Sequence, residues 1–320
     1  MIRLLYRAII FSLLTLSTSL SANIDEEVLL LLVDKGDLTA TLQTWPILGK
    51  EVKTLMKFKI AIGKEKGDKQ YEGDNKTPEG IYFVNRVIDG KLLPEKYGPL
   101  ALPINFPNKF DRDQGKTGHG IWLHGVADDS RIEKANVTEG CVAFYNADIK
   151  LLKNWLKPRQ SVVMITDNTE DVNQKSSLED IRKNTDLWFY HWSQKNLDKY
   201  ISFYHPKFKN KGKKLSSYKR YKKRIFKKYK QMKMSLYDLR VFVHEKYAVS
   251  TFNQDFWGDN SYVSKGRKVL FWYKNQSGKW KIAHETYEDR RFNKIGVNME
   301  IVSEMFEESP SKAKLKGKEL

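Results

Sequence analysis

Cysteine is almost absent from this sequence: Cys141 is the only one among 320 residues. The chain therefore cannot close an internal disulfide, which needs two thiols. Glycine (19) and proline (9) are too few for a collagen-like fibre, and 40% hydrophobic with 12% aromatic residues excludes disorder along the whole chain. After residue 20 no run is apolar enough for a membrane-spanning helix, which needs about 20 residues.

Acidic side chains are outnumbered, and the imbalance is confined to the second half of the chain. Lys and Arg number 57 against 39 Asp and Glu, which gives a net charge of +18. Residues 1–175 carry 24 basic and 23 acidic side chains, whereas residues 176–320 carry 33 and 16. A length of 320 residues predicts about two domains of roughly 150 residues each. The excess charge belongs to the second of them.

Residues 1–22 have the pattern of a secretory signal. Arg3 and Arg7 precede an uncharged, largely apolar run at residues 8–20, and small residues follow. Such a run is shorter than the roughly 20 residues that span a bilayer; an uncleaved anchor at the membrane surface is the alternative. We therefore expect an exported, periplasmic protein, in which Cys141 is either an inert buried thiol or a reactive one.

Residues 27–167 have the pattern of a mainly β domain with short helical insertions. Apolar or alternating runs predict strands at residues 27–33, 38–42, 57–63, 80–84 and 161–165. Residues 148–155 have helical spacing. Residues 168–177 are polar and without periodicity, which predicts a linker.

Residues 178–288 predict a second domain of α+β order. Residues 178–203 have helical spacing with an aromatic face, and alternating strands joined by turns occupy residues 241–287. Residues 289–320 form a charged tail that is poor in aromatic residues.

Two segments of the first domain carry residues suited to catalysis. His124 and Cys141 are 17 residues apart, and an imidazole close to a thiol can take its proton and later protonate a leaving amine. Gly140 allows a sharp turn whose N–H groups could face a developing oxyanion. Period-2 alternation places His124 and His119 on opposite faces, so only one of them can face the cysteine.

The alternative interpretation of this pair is a core cysteine and a surface histidine that never meet. A zinc site is disfavoured, because one Cys and six His lack the paired spacing of structural zinc ligands. We expect no metal and no cofactor.

Three motifs in order resemble the L,D-transpeptidase (YkuD-type) catalytic domain, from about Val28 to Ile165. They are Asp74-Asn-Lys-Thr-Pro-Glu-Gly-Ile-Tyr82, Ile121-Trp-Leu-His-Gly125 and Glu139-Gly-Cys-Val142. The resemblance implies a β-sandwich with short helices, Cys141 as nucleophile, His124 as general base and an oxyanion site around Gly140. It also implies attack on the peptidoglycan bond between the L-centre of the third stem residue and D-Ala, through a thioester.

The sequence departs from this family's common pattern at two positions. Glu139 replaces a histidine, and Ala143 replaces an arginine that organises the site and holds anionic substrate groups. If ionised nearby, Glu139 would raise the pKa of the thiol, so we expect its side chain to point away. The unplaced candidates for substrate anchoring are Lys76, Arg86, Lys116 and Arg131. The expected substrate-binding residues are Trp122, Gly125, Thr138 and Arg131.

The second domain is similar to nuclear transport factor 2-like (NTF2-like) domains, which implies a cone of helices and curved sheet. On its last strand Trp280, Ile282 and His284 are expected to share one face, making Trp280 and His284 candidates for an accessory pocket. A hydrogen-bonded core histidine is the alternative for His284. Trp188 and Trp192, one helical turn apart, are expected in the core.

Residues 207–233 hold 14 Lys or Arg with interleaved aromatic residues. Helical spacing of Tyr218, Tyr221, Ile225 and Tyr229 fits an amphipathic helix whose lysines are merely solvated. The alternative is attraction to an anionic wall polymer or membrane surface. Nucleic acid is disfavoured as a partner of an exported protein.

The pairing of the two domains resembles the L,D-carboxypeptidases that set cell shape in helical Gram-negative bacteria. It implies trimming of tetrapeptide stems to tripeptides. The alternatives are an L,D-transpeptidase that makes cross-links or exchanges D-amino acids, and a non-catalytic wall-binding module. A base-paired Cys141 should react with alkylating reagents well below the pH of a free cysteine.

Overall fold

The computed structural model describes residues 28–45, 52–210, 212–259 and 262–289. The predicted signal at residues 1–22 lies outside these ranges, and so does the predicted tail after Asp289. Within the described ranges, no helix combines the length and the apolar character needed to cross a membrane.

The first domain is built on a ten-stranded sheet. Its strands are β1 (Val28–Asp34), β2 (Thr39–Trp45), β3 (Thr54–Gly63), β4 (Gly80–Phe83), β5 (Ile88–Asp89), β6 (Leu100–Pro103), β7 (Trp122–His124), β8 (Asn136–Thr138), β9 (Val142–Phe144) and β10 (Val162–Thr166). They are ordered β4-β10-β1-β2-β3-β9-β7-β6-β5, and β8 pairs with β3. Two helices interrupt them, α1 (Lys109–Asp113) and α2 (Asn146–Trp155). The predicted mainly β domain with short helices is confirmed.

Strand β1 is apolar up to Val33 because both of its faces are covered. Leu31 and Val33 pack in the main core of the first domain, together with residues of both halves of the sheet. Leu30 points the other way and packs against the second domain, in a cluster that includes Phe242 and Phe271. The apolar run of β1 therefore packs on one side in the core of the first domain and on the other side against the second domain.

The second domain places helices before a four-stranded antiparallel sheet. Its helices are α3 (Lys175–Ser193), α4 (Leu197–Ile201) and α5 (Leu215–Lys228). A short hairpin, β11 (Lys209–Asn210) and β12 (Lys213–Lys214), precedes α5. The sheet contains β13 (Met232–Val243), β14 (Ala248–Gly258), β15 (Tyr262–Lys274) and β16 (Trp280–Asp289), in that order. The predicted α+β order is confirmed.

The helix predicted at residues 178–203 is two helices in the structure. The chain turns between them at Lys195, whose φ of 53° is left-handed, and Asn196 caps α4 by accepting the Lys199 N–H at 3.3 Å. Trp188 and Trp192 lie in the core as expected, because both belong to the buried cluster beneath the sheet.

The predicted linker at residues 168–177 is packed between the two domains. Val172 is buried in the cluster that both sheets share. Asn173 donates its N–H to the Val243 carbonyl at 2.7 Å and accepts the Val243 N–H on its side chain at 2.9 Å. Helix α3 begins within this segment, at Lys175. The connection thus holds the domains together as well as joining them.

Candidate active site

Two adjacent parallel strands bring His124 and Cys141 to the same face of the sheet. In the register of β7 and β9, Leu123 lies beside Val142 and His124 lies beside Ala143. Side chains alternate along a strand, so Cys141 shares the face of His124 while Val142 enters the main core. The two residues are diagonal neighbours, a relation that spans roughly 7–8 Å between backbones. The fold therefore places them on one wall.

The thiol of Cys141 is buried and uncharged. Its Sγ donates to the Gly120 carbonyl at 3.5 Å, and within the described residues no hydrogen bond joins it to His124. Burial raises the pKa of Cys141 to about 11, and the charge of Glu139 adds to that rise, although the Trp122 N–H opposes it. Early alkylation, below the pH of a free cysteine, is predicted for a base-paired thiol; in this geometry the thiol is bound to Gly120 instead, so that prediction remains open.

The imidazole of His124 is also neutral. Its Nδ1 lies within hydrogen-bond distance of the Gly125 carbonyl, which can only accept, so Nδ1 carries the proton and Nε2 keeps its lone pair. Burial, together with the charges of Arg131 and Lys96, lowers the pKa of His124 to about 4, although the hydrogen bond to the Gly125 carbonyl opposes this shift. His124 is therefore a base with an available lone pair at neutral pH.

The two pKa values decide when the proton can move. Values of about 11 for the Cys141 thiol and about 4 for His124 make a resting thiolate–imidazolium pair costly. At 1.36 kcal/mol per pKa unit, this gap is on the order of 10 kcal/mol before the attraction between the two ions is counted. Both groups are therefore neutral in the structure.

The turn before Cys141 depends on Gly140 and Thr138. Gly140 has a φ of 122°, and a Cβ there would lie 2.6 Å from the Lys76 carbonyl oxygen, so only glycine fits. Thr138 Oγ1 accepts the Gly140 N–H at 3.1 Å and donates to the Cys141 carbonyl at 2.7 Å. Thr138 thus supports the turn. The expected use of the Gly140 N–H as an oxyanion donor would require that hydrogen bond to break.

The other residues expected to bind substrate separate into two kinds. Gly125 is buried against Asn146, whose Oδ1 would lie 2.3 Å from a Cβ, so it serves packing and the support of His124. Trp122 is half-buried and lies 4.8 Å from the Tyr97 ring, centroid to centroid. Arg131 is half-buried, and its Nη2 donates to the Val137 carbonyl at 3.2 Å. Trp122 and Arg131 still present surface to a ligand.

The structure excludes one of the four anchoring candidates. Lys116 is buried, and its Nζ binds Asp68 at 2.7 Å and Asp111 at 3.1 Å, so it cannot reach a substrate. Arg86 is exposed beyond the end of β4. Lys76 is half-buried, and its carbonyl lies against Gly140.

The two positions that depart from the family pattern differ in their surroundings. Ala143 is buried in a small apolar cluster with Ala61, Val126 and Ile132, which leaves no room for a long cation. Glu139 is exposed, but its charge still raises the pKa of the Cys141 thiol, which the predicted outward orientation would avoid. His119 is exposed too, and its Nε2 lies 3.3 Å from Glu72. His124 is therefore the histidine that shares a wall with Cys141.

Sequence reasoning missed Tyr97. This residue ends a short 3₁₀ turn, Glu95–Tyr97, and its ring meets the His124 ring edge to face at 5.0 Å. The Lys96 ammonium lies 5.1 Å from the Tyr97 ring centre. No pattern in the sequence signals this contact, because Tyr97 precedes His124 by 27 residues in an irregular segment.

A second buried polar cluster lies inside the cone of the second domain, around Glu285. Its carboxylate accepts hydrogen bonds from Tyr218 at 2.6 Å and Tyr204 at 3.0 Å, and it pairs with Lys268 at 3.2 Å. The Lys222 ammonium lies 4.5 Å from the Trp192 ring centre. We call this group the Glu285 cluster.

The expectation that His284 shares a face with Trp280 and Ile282 is wrong. A β-bulge between β15 and β16 pairs Ile282 with Trp272 but His284 with Phe271, so the alternation shifts by one residue. Trp280 and Ile282 stay in the core of the second domain. His284 instead faces the first domain, where its Nε2 binds Asp113 at 2.5 Å. Trp280 and His284 are both buried, and the hydrogen bond of His284 fits the alternative of a hydrogen-bonded core histidine.

Comparison with known protein families assigns both domains. Residues 21–165 match the model of the L,D-transpeptidase catalytic domain (YkuD), and residues 180–286 match the Cds6 C-terminal NTF2-like domain. The chain therefore joins a YkuD-type L,D-transpeptidase domain to an NTF2-like domain. The resemblance found in the motifs is confirmed.

Particular relatives share one or both domains. YafK of Escherichia coli strain K12, assigned by name to the L,D-transpeptidases, is 34% identical over 110 residues, which is 34% of this chain and 40% of YafK. Bd1075 of Bdellovibrio bacteriovorus superposes with a TM-score of 0.69 at 29% identity, covering 82% of this chain and 92% of that one. The helical cell shape determining protein Pgp2 of Campylobacter jejuni gives 0.67 at 26% identity, covering 82% and 92%. The two structures extend over both domains, whereas YafK matches over less than half its length.

The described residues contain no group of three or more His, Cys, Asp and Glu side chains placed to hold a metal ion.

Proposed function

We propose that the protein is an exported L,D-carboxypeptidase that trims peptidoglycan tetrapeptide stems to tripeptides. The observation that carries this proposal is the pair of neutral catalytic groups, Cys141 and His124, on one face of adjacent strands in a YkuD-type domain. Both structural relatives with this domain pair superpose over 82% of the chain, and one is named for determining helical cell shape.

The reaction proceeds through a thioester. Cys141 Sγ attacks the carbonyl carbon of the L-centre residue, and His124 Nε2 takes the thiol proton as the C–S bond forms. The C–N bond then breaks, and the imidazolium returns the proton to the amine of the departing D-Ala. Water, deprotonated by His124, then attacks the thioester carbonyl; the C–S bond breaks, the imidazolium returns the proton to the Cys141 thiolate, and the tripeptide leaves. The Cys141 N–H is the amide best placed to hold the oxyanion, since the Gly140 N–H is bound to Thr138.

Transpeptidation is the second candidate, because the same thioester can pass to an amine instead of water. The family match supports both outcomes equally. The domain pairing favours trimming.

A non-catalytic wall-binding module is the third candidate. Ala143 stands where the family pattern has an arginine, and helix α5 exposes a basic face that suits an anionic wall polymer or membrane surface.

One experiment separates these candidates. Purified protein and a Cys141→Ala variant are incubated with disaccharide tetrapeptide, and the masses of the products are measured by mass spectrometry. Loss of one D-Ala with wild type alone supports the carboxypeptidase. Dimers, or exchange of D-Ala for another D-amino acid, support the transpeptidase. Unchanged substrate with retained binding to sacculi supports the module and contradicts the enzyme.

A further inference from the structure

Six charged side chains meet where the second domain contacts the first. They are the lysines Lys35, Lys116 and Lys246 and the carboxylates Asp68, Glu79 and Asp111. Lys246 alone among the six belongs to the second domain, where it lies in the turn between β13 and β14. This turn therefore supplies one of three positive charges to a site within the first domain.

Lys246 bridges the two carboxylates nearest to it. Its Nζ lies 2.9 Å from Asp68 Oδ2 and 2.7 Å from Glu79 Oε2. Lys35 binds the other oxygen of Glu79 at 2.8 Å, and Lys116 binds both oxygens of Asp68. Asp68 also accepts the Glu79 N–H at 2.9 Å. All four carboxylate oxygens thus have partners, and Lys246 provides two of those contacts.

Asp68 and Glu79 are both charged, so Lys246 serves as a counter-charge for each of them. Burial alone would raise the pKa of each carboxyl, but hydrogen bonds and charges from the lysines lower both values overall. Three lysines face these two carboxylates; Asp111 lies 3.1 Å from Lys116, and the exposed Glu245 lies 3.6 Å from Lys246. Removal of Lys246 would leave two carboxylates facing each other with one counter-charge missing.

Asp68 belongs to the active-site loop, which we define as residues 64–77 between β3 and β4. Lys35 holds this loop at both ends, through the Gly67 carbonyl at 2.7 Å and the Thr77 carbonyl at 3.1 Å. Lys246 therefore joins the second domain to a loop that the first domain already fixes by similar contacts.

The active-site loop touches both sides of the nucleophile. On one side, the Lys76 carbonyl fills the space where Gly140 would carry a side chain. On the other, Thr117 donates its N–H to the Gln70 carbonyl at 3.0 Å and leads to Gly120, whose carbonyl accepts the Cys141 thiol. A displacement of this loop would disturb the turn before Cys141 and the acceptor of its proton.

The neighbouring residue strengthens the same connection. Tyr247 is buried, and its hydroxyl accepts the Ile81 N–H at 2.6 Å while donating to the Ile81 carbonyl at 2.9 Å. Ile81 lies in β4, directly after Glu79 and Gly80. The turn between β13 and β14 thus holds the end of the active-site loop and the strand that follows it.

We propose that Lys246 is a positioning residue of the second domain, which sets the active-site loop and, through it, the geometry around Cys141. The accessory domain then takes part in catalysis as well as in any contact with the wall. The effect on turnover rests on the proposed function, whereas the effect on the reactivity of Cys141 does not.

The test compares full-length variants. Lys246→Met removes the charge, and Lys246→Arg keeps it. Tyr273→Phe is the matched control, since it deletes another contact between the domains, to Asp113 at 3.3 Å, without touching the active-site loop. Two quantities are measured: kcat and KM for D-Ala release from disaccharide tetrapeptide, and the alkylation rate of Cys141 by iodoacetamide across pH. The single cysteine of the chain makes the second measurement specific.

We expect Lys246→Met to lower kcat by about 10- to 100-fold with little change in KM, as misplacement of reacting groups does. Alkylation should become faster, because a loosened wall relieves the burial that keeps the thiol protonated. Lys246→Arg should restore both quantities, and Tyr273→Phe should change neither.

Unchanged kcat and unchanged alkylation in a folded Lys246→Met protein would overturn the proposal. Should this variant fail to melt cooperatively, Lys246→Gln, which keeps a donor without the charge, is judged by the same two outcomes. Absence of turnover in wild type would refute the proposed function, yet the alkylation rates would still decide the role of Lys246.

Discussion

The active site and the Glu285 cluster are both buried, but their ionisable groups end in opposite charge states. At the active site, burial raises the pKa of Cys141 to about 11 and lowers that of His124 to about 4, so both groups are neutral. Burial alone would also raise the pKa of Glu285, yet Lys268, Lys222 and two tyrosine hydroxyls lower it overall. The partners of a buried group, and not its depth, decide its charge.

The difference teaches what each region is built for. The thiol and the imidazole are neutral in the free protein, and under the proposed function they ionise only when a substrate is bound. Few hydrogen bonds restrain them. The polar groups of the Glu285 cluster bind one another, and these contacts hold α5 against the sheet. If this contrast is correct, substitutions in the first region should change rates and those in the second should change stability.

The largest effect should come from Cys141→Ser. The hydroxyl keeps a donor for the Gly120 carbonyl but is a far weaker nucleophile, so D-Ala release should fall at least about 10³-fold. The melting temperature should stay within error of wild type. Mass spectrometry measures D-Ala release, and thermal unfolding measures the melting temperature. Substantial residual activity would show that Cys141 is not the nucleophile.

His124→Asn should follow, with a loss of about 10²- to 10⁴-fold in kcat, the usual contribution of a general base. In wild type the acidic limb of the rate should lie near pH 4, because burial lowers the pKa of His124 to about 4. An imidazole protonated below that pH has no lone pair to offer. An acidic limb near pH 6.5 would show instead that His124 is exposed to solvent in the free enzyme.

The same shift makes a statement about stability. The unfolded chain protonates His124 near pH 6.5 and the folded chain only near 4, so stability is full above 6.5 and falls as the pH drops between these values. His124→Asn should flatten this part of the stability curve. Urea unfolding at pH 7, 6, 5 and 4 measures the difference between the two proteins.

Glu285→Gln tests the other region. It leaves the buried Lys268 without its carboxylate, and such breaks cost about 3–5 kcal/mol of unfolding free energy. Alkylation of Cys141 should not change. Asp198→Asn, which breaks the exposed pair with Lys219, is the control and should leave stability unaltered. Equal losses from both variants would mean that the Glu285 cluster carries no special weight.

The sequence predicted the fold better than it predicted the chemistry. Apolar or alternating runs placed β3, β4 and β10 within a few residues, and the resemblance of the motifs implied that Cys141 and His124 act together. Periodicity failed at His284, because a β-bulge depends on pairing with β15 and leaves no mark in spacing.

The raised pKa of the Cys141 thiol could not be predicted from the sequence for a related reason. A pKa depends on how completely the folded chain removes water from a group, and that is a property of packing. The contact of Tyr97 with His124 and the occupation of the Gly140 N–H by Thr138 also require coordinates.

The smallest effect should come from Arg131→Met, which asks whether any charge beside the active site replaces the missing family arginine. Arg131 is half-buried near His124 and keeps guanidinium surface beyond its bond to Val137. Loss of a charged contact to a substrate carboxylate should raise KM about tenfold with kcat nearly unchanged. Removal of this nearby positive charge should also raise the pKa of His124, moving the acidic limb of the rate upward. Lys134→Met removes a positive charge from the exposed end of the same 3₁₀ turn and should change neither KM nor the acidic limb of the rate. An equal rise in KM in Lys134→Met would mean that Arg131 acts only through general electrostatic attraction of the substrate.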